Sequence, residues 1–125
     1  MPTKIKITAG PVSSLAELND TPTAVAIQKA LPIEATANTW GDEIYFAIGV
    51  VQALDDTAAE IVQVGDLGYW PTGRAFCIFF GPTPASRGDE IRPASAVNLI
   101  GRVLGEANDF KRVQAGELVR IENVP

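Results

Sequence analysis

The sequence predicts a mainly β fold: short strands joined by tight turns into a closed or nearly closed antiparallel barrel, with one or two helices. Three observations predict it. Apolar and polar residues alternate in many short runs, the period of half-buried strands. Eleven glycines and nine prolines in 125 residues divide the chain at short intervals, leaving little room for long elements. Only one stretch carries a full set of helix signals. Closure of the sheet would also remove the exposed edges that so many strands otherwise leave. With 46% hydrophobic and 20% charged residues, the chain has the composition to build one core, so a single domain over residues 1–125 is expected.

The elements follow in order. Lys4-Ile5-Lys6-Ile7-Thr8 alternates as a strand, and Leu15-Ala16-Glu17-Leu18 reads as a second after the Gly10-Pro11 turn. Thr21 or Asp20 can cap a helix that has Pro22 in its first turn, Ala24, Ile27 and Leu31 on one face, and Pro32 as its stop. Residues 33–40 form a strand with small side chains on one side and Glu34, Thr36, Asn38 and Trp40 on the other. Gly41-Asp42 is a two-residue hairpin signal. Residues 43–51 return as a strand with Ile44, Phe46, Ile48 and Val50 on one face. Further strands are expected near 60–64, 67–70, 76–80, 97–103 and 118–124, with a short helix at 108–113. The segment 82–96 is the longest irregular stretch, and loops of that length are often functional.

Composition excludes several chemistries. There is no histidine and one cysteine, so zinc sites built on imidazole or paired thiolates are ruled out, as are Ser-His-Asp and Cys-His catalysis. The adjacent acidic pairs Asp42-Glu43, Asp55-Asp56 and Asp89-Glu90 read as solvated turns, and no cofactor or metal is expected. A net charge of −5 argues against nucleic acid or an anionic membrane as partner. No signal peptide or membrane-length apolar run is evident, and a lone cysteine fits a reducing cytoplasm. Cys77 reads as a small buried hydrophobe.

Four stretches carry a resemblance: Asn38-Thr39-Trp40-Gly41-Asp42-Glu43-Ile44-Tyr45-Phe46, Gly68-Tyr69-Trp70-Pro71, Cys77-Ile78-Phe79-Phe80-Gly81-Pro82-Thr83-Pro84 and Pro93-Ala94-Ser95-Ala96-Val97-Asn98-Leu99-Ile100-Gly101-Arg102. They resemble, in order from Thr21 to Glu117, a small prokaryotic family of cyclophilin-like proteins of unassigned function. The resemblance implies an eight-stranded β-barrel with helices closing its ends. A more distant similarity to the prolyl isomerases matches Ala75-Phe76-Cys77-Ile78-Phe79-Phe80 to their Gly-Ser-Gln-Phe-Phe-Ile strand. It puts Ile78 and Phe80 towards a groove on the outer face of the barrel, and Cys77 and Phe79 towards the core.

Isomerisation must overcome a barrier of about 18–20 kcal/mol to rotation about the partly double C–N bond. The isomerases do so with an arginine that hydrogen-bonds near the prolyl nitrogen, beside an apolar pocket that grips the ring; stronger binding of the twisted state lowers the barrier. That arginine belongs on the strand at 33–40, yet no lysine or arginine occurs between Lys29 and Arg74. Arg74, in the turn before the aromatic strand, is the candidate catalytic substitute, or else a solvated turn residue. The expected function is therefore binding of a peptide or small organic ligand in the external groove, with an atypical peptidyl-prolyl isomerase as the alternative. The expected wall is Trp40, Tyr69, Trp70, Phe76, Ile78 and Phe80, with Glu34, Thr36, Asn38 and Arg74 supplying polarity. Asn98 opens its strand as a backbone-bonding residue.

Overall fold

A computed structural model of the chain, described over residues 2–125, contains nine strands. These are β1 (Thr3–Ala9), β2 (Val12–Leu18), β3 (Ile33–Thr36), β4 (Asn38–Thr39), β5 (Glu43–Ala47), β6 (Asp66–Trp70), β7 (Ala75–Phe79), β8 (Asn98–Val103) and β9 (Leu118–Asn123). Helix α1 (Pro22–Lys29) follows β2, and a 3₁₀ helix (Ala107–Arg112) precedes β9. All pairings are antiparallel, in the order β3-β9-β1-β2-β8-β6-β7-β5-β4. The two ends of that order are consecutive in the chain. Ala37 alone separates β3 from β4, and its own N–H and C=O bond Glu117 and Gly116, each at 2.9 Å. The sheet thus closes on itself, and the single strand expected at 33–40 is this broken pair. Counted as one, it makes the barrel eight-stranded.

The barrel interior is filled from every side. Ile5 and Ile7 from β1, Ile44 and Phe46 from β5, Leu67 and Tyr69 from β6, Phe76 and Ile78 from β7 and Ile121 from β9 are buried in one cluster. The Phe46 and Phe76 rings stack at 5.4 Å. Helix α1 closes one end: the Thr21 hydroxyl accepts from the Ala24 N–H at 3.3 Å, as a helix cap should, and Ala24 and Ile27 enter the core. Phe110 of the 3₁₀ helix also enters the core, against Phe80 at 6.4 Å.

Two elements depart from the sequence reading. Residues 60–64 do not form a strand. They make a single isolated bridge, Val62 to Ile91, beside one from the preceding Ala59 to Val97, because Val62 alone finds apolar cover while Ile61 and Val64 stay exposed. Strand β5 ends at Ala47 rather than at 51, although Ile48 and Val50 still reach the core. The loop that follows is fastened by a side chain of β8. The buried Asn98 side chain accepts from the Asp55 N–H at 2.8 Å and donates to Ala53 O at 2.9 Å and Thr23 Oγ1 at 3.0 Å.

A second apolar cluster lies on the outer face of β5, β6 and β7. Ala75, Cys77 and Phe79 of β7 are covered there by Val62, Ile91 and Val97, with Tyr45, Trp70 and Leu99 at the margin. All five residues of β7 are consequently buried, alternate ones on each side of the sheet.

Candidate functional site

The outer cluster leaves one recess uncovered, a pocket of about 240 Å³ lined by Trp40, Glu43, Tyr45, Trp70, Pro93, Ala94 and Val97. Its construction follows from strand geometry. The N–H of Trp40 bonds the Glu43 carbonyl at 3.0 Å, closing the Gly41-Asp42 turn. On β5, Ile44 and Phe46 go inward, so the alternation sends Glu43 and Tyr45 outward, across from Phe79 and Cys77 of β7. Trp70 ends β6 and stands over the same face. A Cβ on Gly73 would come within 2.7 Å of the Trp70 ring, so glycine there lets the indole lie flat on the turn. Its Nε1–H donates to Ser95 Oγ at 2.6 Å. Deeper in the face, a Cβ on Gly68 would sit 2.9 Å from Val97 and 3.1 Å from Phe79, so its absence lets those two side chains close the floor.

The opposite rim belongs to the segment 82–97. Backbone bonds hold it at Val62 N–H to Ile91 O, 3.0 Å, and in both directions between Ala59 and Val97. Inside the loop the Thr83 hydroxyl donates to the Arg92 carbonyl, and Ser86 Oγ accepts from the Thr83 and Arg92 N–H groups. The long irregular stretch is therefore a fastened wall that presents Pro93, Ala94 and Val97.

Glu43 sets the electrostatics. It is only 6% exposed and has no cationic partner; burial pushes its carboxyl up to about 7, with a hydrogen bond from the Cys77 thiol pulling the other way. Burial, reinforced by the neighbouring Glu43 charge and hydrogen bond, likewise holds the Cys77 thiol well above its ordinary range. Cys77, whose thiol donates to the Ala75 carbonyl at 3.8 Å, is thus inert and protonated rather than a nucleophile. Among the described residues no lysine or arginine lines the pocket, and no group of three or more His, Cys, Asp or Glu side chains is placed to hold a metal ion.

Of the residues expected at the groove, only Trp40 and Trp70 line this pocket. Phe76 and Ile78 face the barrel interior, as does Phe80, and Cys77 and Phe79 face outward, the reverse of the expected split. Side chains alternate along a strand, so a match displaced by one residue exchanges the faces of every one of them. Tyr69 is also interior: its hydroxyl donates to Val50 O at 2.6 Å and accepts from the Gln52 N–H at 3.3 Å. Glu34 and Thr36 are exposed beside β9, where Glu34 meets Arg120 at 3.4 Å. Asn38 is exposed and donates to the Tyr45 carbonyl at 3.2 Å without entering the lining. Arg74 is exposed, with a positive φ of 50°, and lies outside the lining.

The sequence reading missed Glu43, Tyr45, Pro93, Ala94 and Val97. The pair Asp42-Glu43 reads as a solvated turn, whereas Glu43 is buried. The signal against that was present: the alternation that buries Ile44 and Phe46 places Glu43 and Tyr45 together on the face shared with Trp40.

Comparison with known proteins agrees with this architecture. A family model described as cyclophilin-like matches residues 3–122. The solution structure of the hypothetical protein AF2241 from Archaeoglobus fulgidus superimposes with a TM-score of 0.83 at 41% identity, over 98% of this chain and 95% of that one. No match was found among curated proteins. With the closed antiparallel barrel, its end-capping helices and a family match over nearly its whole length, the chain belongs to the cyclophilin-like family.

Proposed function

We propose that the protein is a binding module that takes a small organic ligand, or one side chain of a peptide, in the outer pocket between β5, β6 and the 82–97 segment. One observation carries this reading. Both tryptophans of the chain, a tyrosine and a buried carboxyl surround one recess whose walls are otherwise apolar. Aromatic walls with a single well-placed polar group are the usual composition of small-ligand sites. The volume, about 240 Å³, lies just below the roughly 300–1,000 Å³ of pockets for drug-sized molecules, which fits a fragment or a single side chain rather than an extended peptide.

Peptidyl-prolyl isomerisation has less behind it. The chemistry wants a cationic donor beside the prolyl ring, and the pocket is lined by none. In a coupled prolyl-peptide assay, wild type and Arg74→Ala are both expected to match the buffer rate.

The binding claim is tested by a fragment titration read by tryptophan emission, since both tryptophans are in the lining. Ala94 is exposed at the rim, so Ala94→Phe should plug the recess while leaving the core intact. Fragments that shift wild-type emission should lose their effect in the plugged variant, at an unchanged melting temperature. Equal binding by both proteins would move the site elsewhere.

A further inference from the structure

We propose that the ligand group recognised by this pocket is an organic cation, an alkylammonium or a guanidinium, held between the carboxylate of Glu43 and the faces of Trp40, Tyr45 and Trp70. The inference rests on the binding reading above and names its ligand class. A carboxyl removed from water is ordinarily paired, hydrogen-bonded or neutralised. Glu43 is 6% exposed, and no Lys, Arg or His stands against it; the chain contains no histidine at all. Arg92, next to Pro93 in sequence, is engaged with Glu90 at 3.2 Å, Lys111 stands 4.0 Å from Asp42, and Arg74 and Arg102 are exposed and outside the lining. The titratable neighbours of Glu43 are the Cys77 thiol on β7, buried and protonated, and the Tyr45 phenol on its own strand. Neither supplies positive charge.

What the protein withholds, a ligand can bring. Three aromatic side chains line the same recess, and π-faces attract cations, tryptophan most strongly. Anions are disfavoured by the same carboxylate. A neutral ligand of equal size would fill the apolar walls but leave the Glu43 charge unanswered. The approach lies over the rim residue Ala94, so the cation can belong to a free amine or to a lysine or arginine side chain of a peptide.

Protonation of Glu43 should compete with the cation. Its carboxyl titrates near 7, so cation affinity rises with pH to that region and then levels. A drop from pH 8 to pH 5.5 should weaken binding by roughly thirtyfold, the fall in the deprotonated share of a group with that pKa.

The test is a fluorescence titration of the full chain with three probes of matched size: n-butylammonium, n-butanol and butyrate, at pH 8 and pH 5.5, with wild type and Glu43→Gln. A short peptide with one lysine, against its acetyl-lysine counterpart, separates a side-chain source from a free amine. The expected result is n-butylammonium binding at least tenfold tighter than n-butanol at pH 8, with butyrate weakest. That preference should vanish at pH 5.5 and in Glu43→Gln. If n-butanol binds wild type as tightly as n-butylammonium at pH 8, the pocket reading stands and the cation assignment falls. If no probe binds wild type, both fall. An undiminished cation preference in Glu43→Gln also overturns the assignment.

Discussion

At Glu43 two demands on a side chain conflict: strand alternation turns it to the sheet's outer face, and the residues packed there remove it from water. The consequence is measurable without any ligand. Its carboxyl titrates at about 7 when folded against an ordinary 4.5, so between those values the folded state holds a proton that the unfolded state has released. Stability therefore falls as pH rises from about 4.5 to about 7 and is flat above, by about 3 kcal/mol for a displacement of this size. Asp55 contributes with the opposite sign at lower pH: burial raises its carboxyl, but hydrogen bonds from Thr57 and Thr23 outweigh that and hold it below the usual range. Glu43→Gln should abolish the loss between pH 5 and 7, melting at pH 8 roughly 10 °C above wild type. Thermal scans across this range check it, and a parallel pH dependence in the two proteins would contradict it.

At the scale of elements, legibility depended on whether a strand was buried on one side or two. Strand β1 and helix α1 have one wet face each, and their alternation, caps and stops could be read directly. Strand β7 is buried on both faces, so Ala75-Phe76-Cys77-Ile78-Phe79 is a continuous apolar run with no period to orient it. There the resemblance alone chose the face, and a register displaced by one residue reversed it. Trp40 and Trp70, large aromatics expected at the groove wall, line the pocket. Pro93, Ala94 and Val97 were hidden because a wall made by an irregular segment depends on tertiary contacts that carry no local pattern.

The segment after β5 is also set by tertiary contact, through Asn98. Asn98→Ala would leave the Asp55 N–H and the Ala53 carbonyl without their partner. A cost of about 1–2 kcal/mol is expected, since these groups are only partly buried and a fully buried orphan loses roughly 1–3 kcal/mol. Chemical denaturation should show the loss, and hydrogen exchange should show it concentrated in residues 51–58. An unchanged midpoint would mean that the loop is held by other contacts.

Over the whole molecule, the barrel serves two apolar clusters back to back, one inside and one outside the β5–β7–β6 sheet. Closure fixes the inner cluster, and the inner cluster fixes the strands that hold the outer one. The pocket therefore stands on the most deeply buried strand of the fold, with its rim supplied by a loop. That arrangement combines a floor set by strands with a wall set by a loop. In the proposed function ligands enter here, and not along the exposed face of β3, where Glu34 and Thr36 lie beside β9. The most direct test is amide and indole chemical-shift mapping of the ¹⁵N-labelled protein during a titration with n-butylammonium at pH 8. Both indole N–H signals should move, together with the amides of Glu43, Tyr45 and residues 94–97, while those of residues 33–36 stay still. Unmoved indole signals, with shifts gathered on β3 and β9, would contradict it.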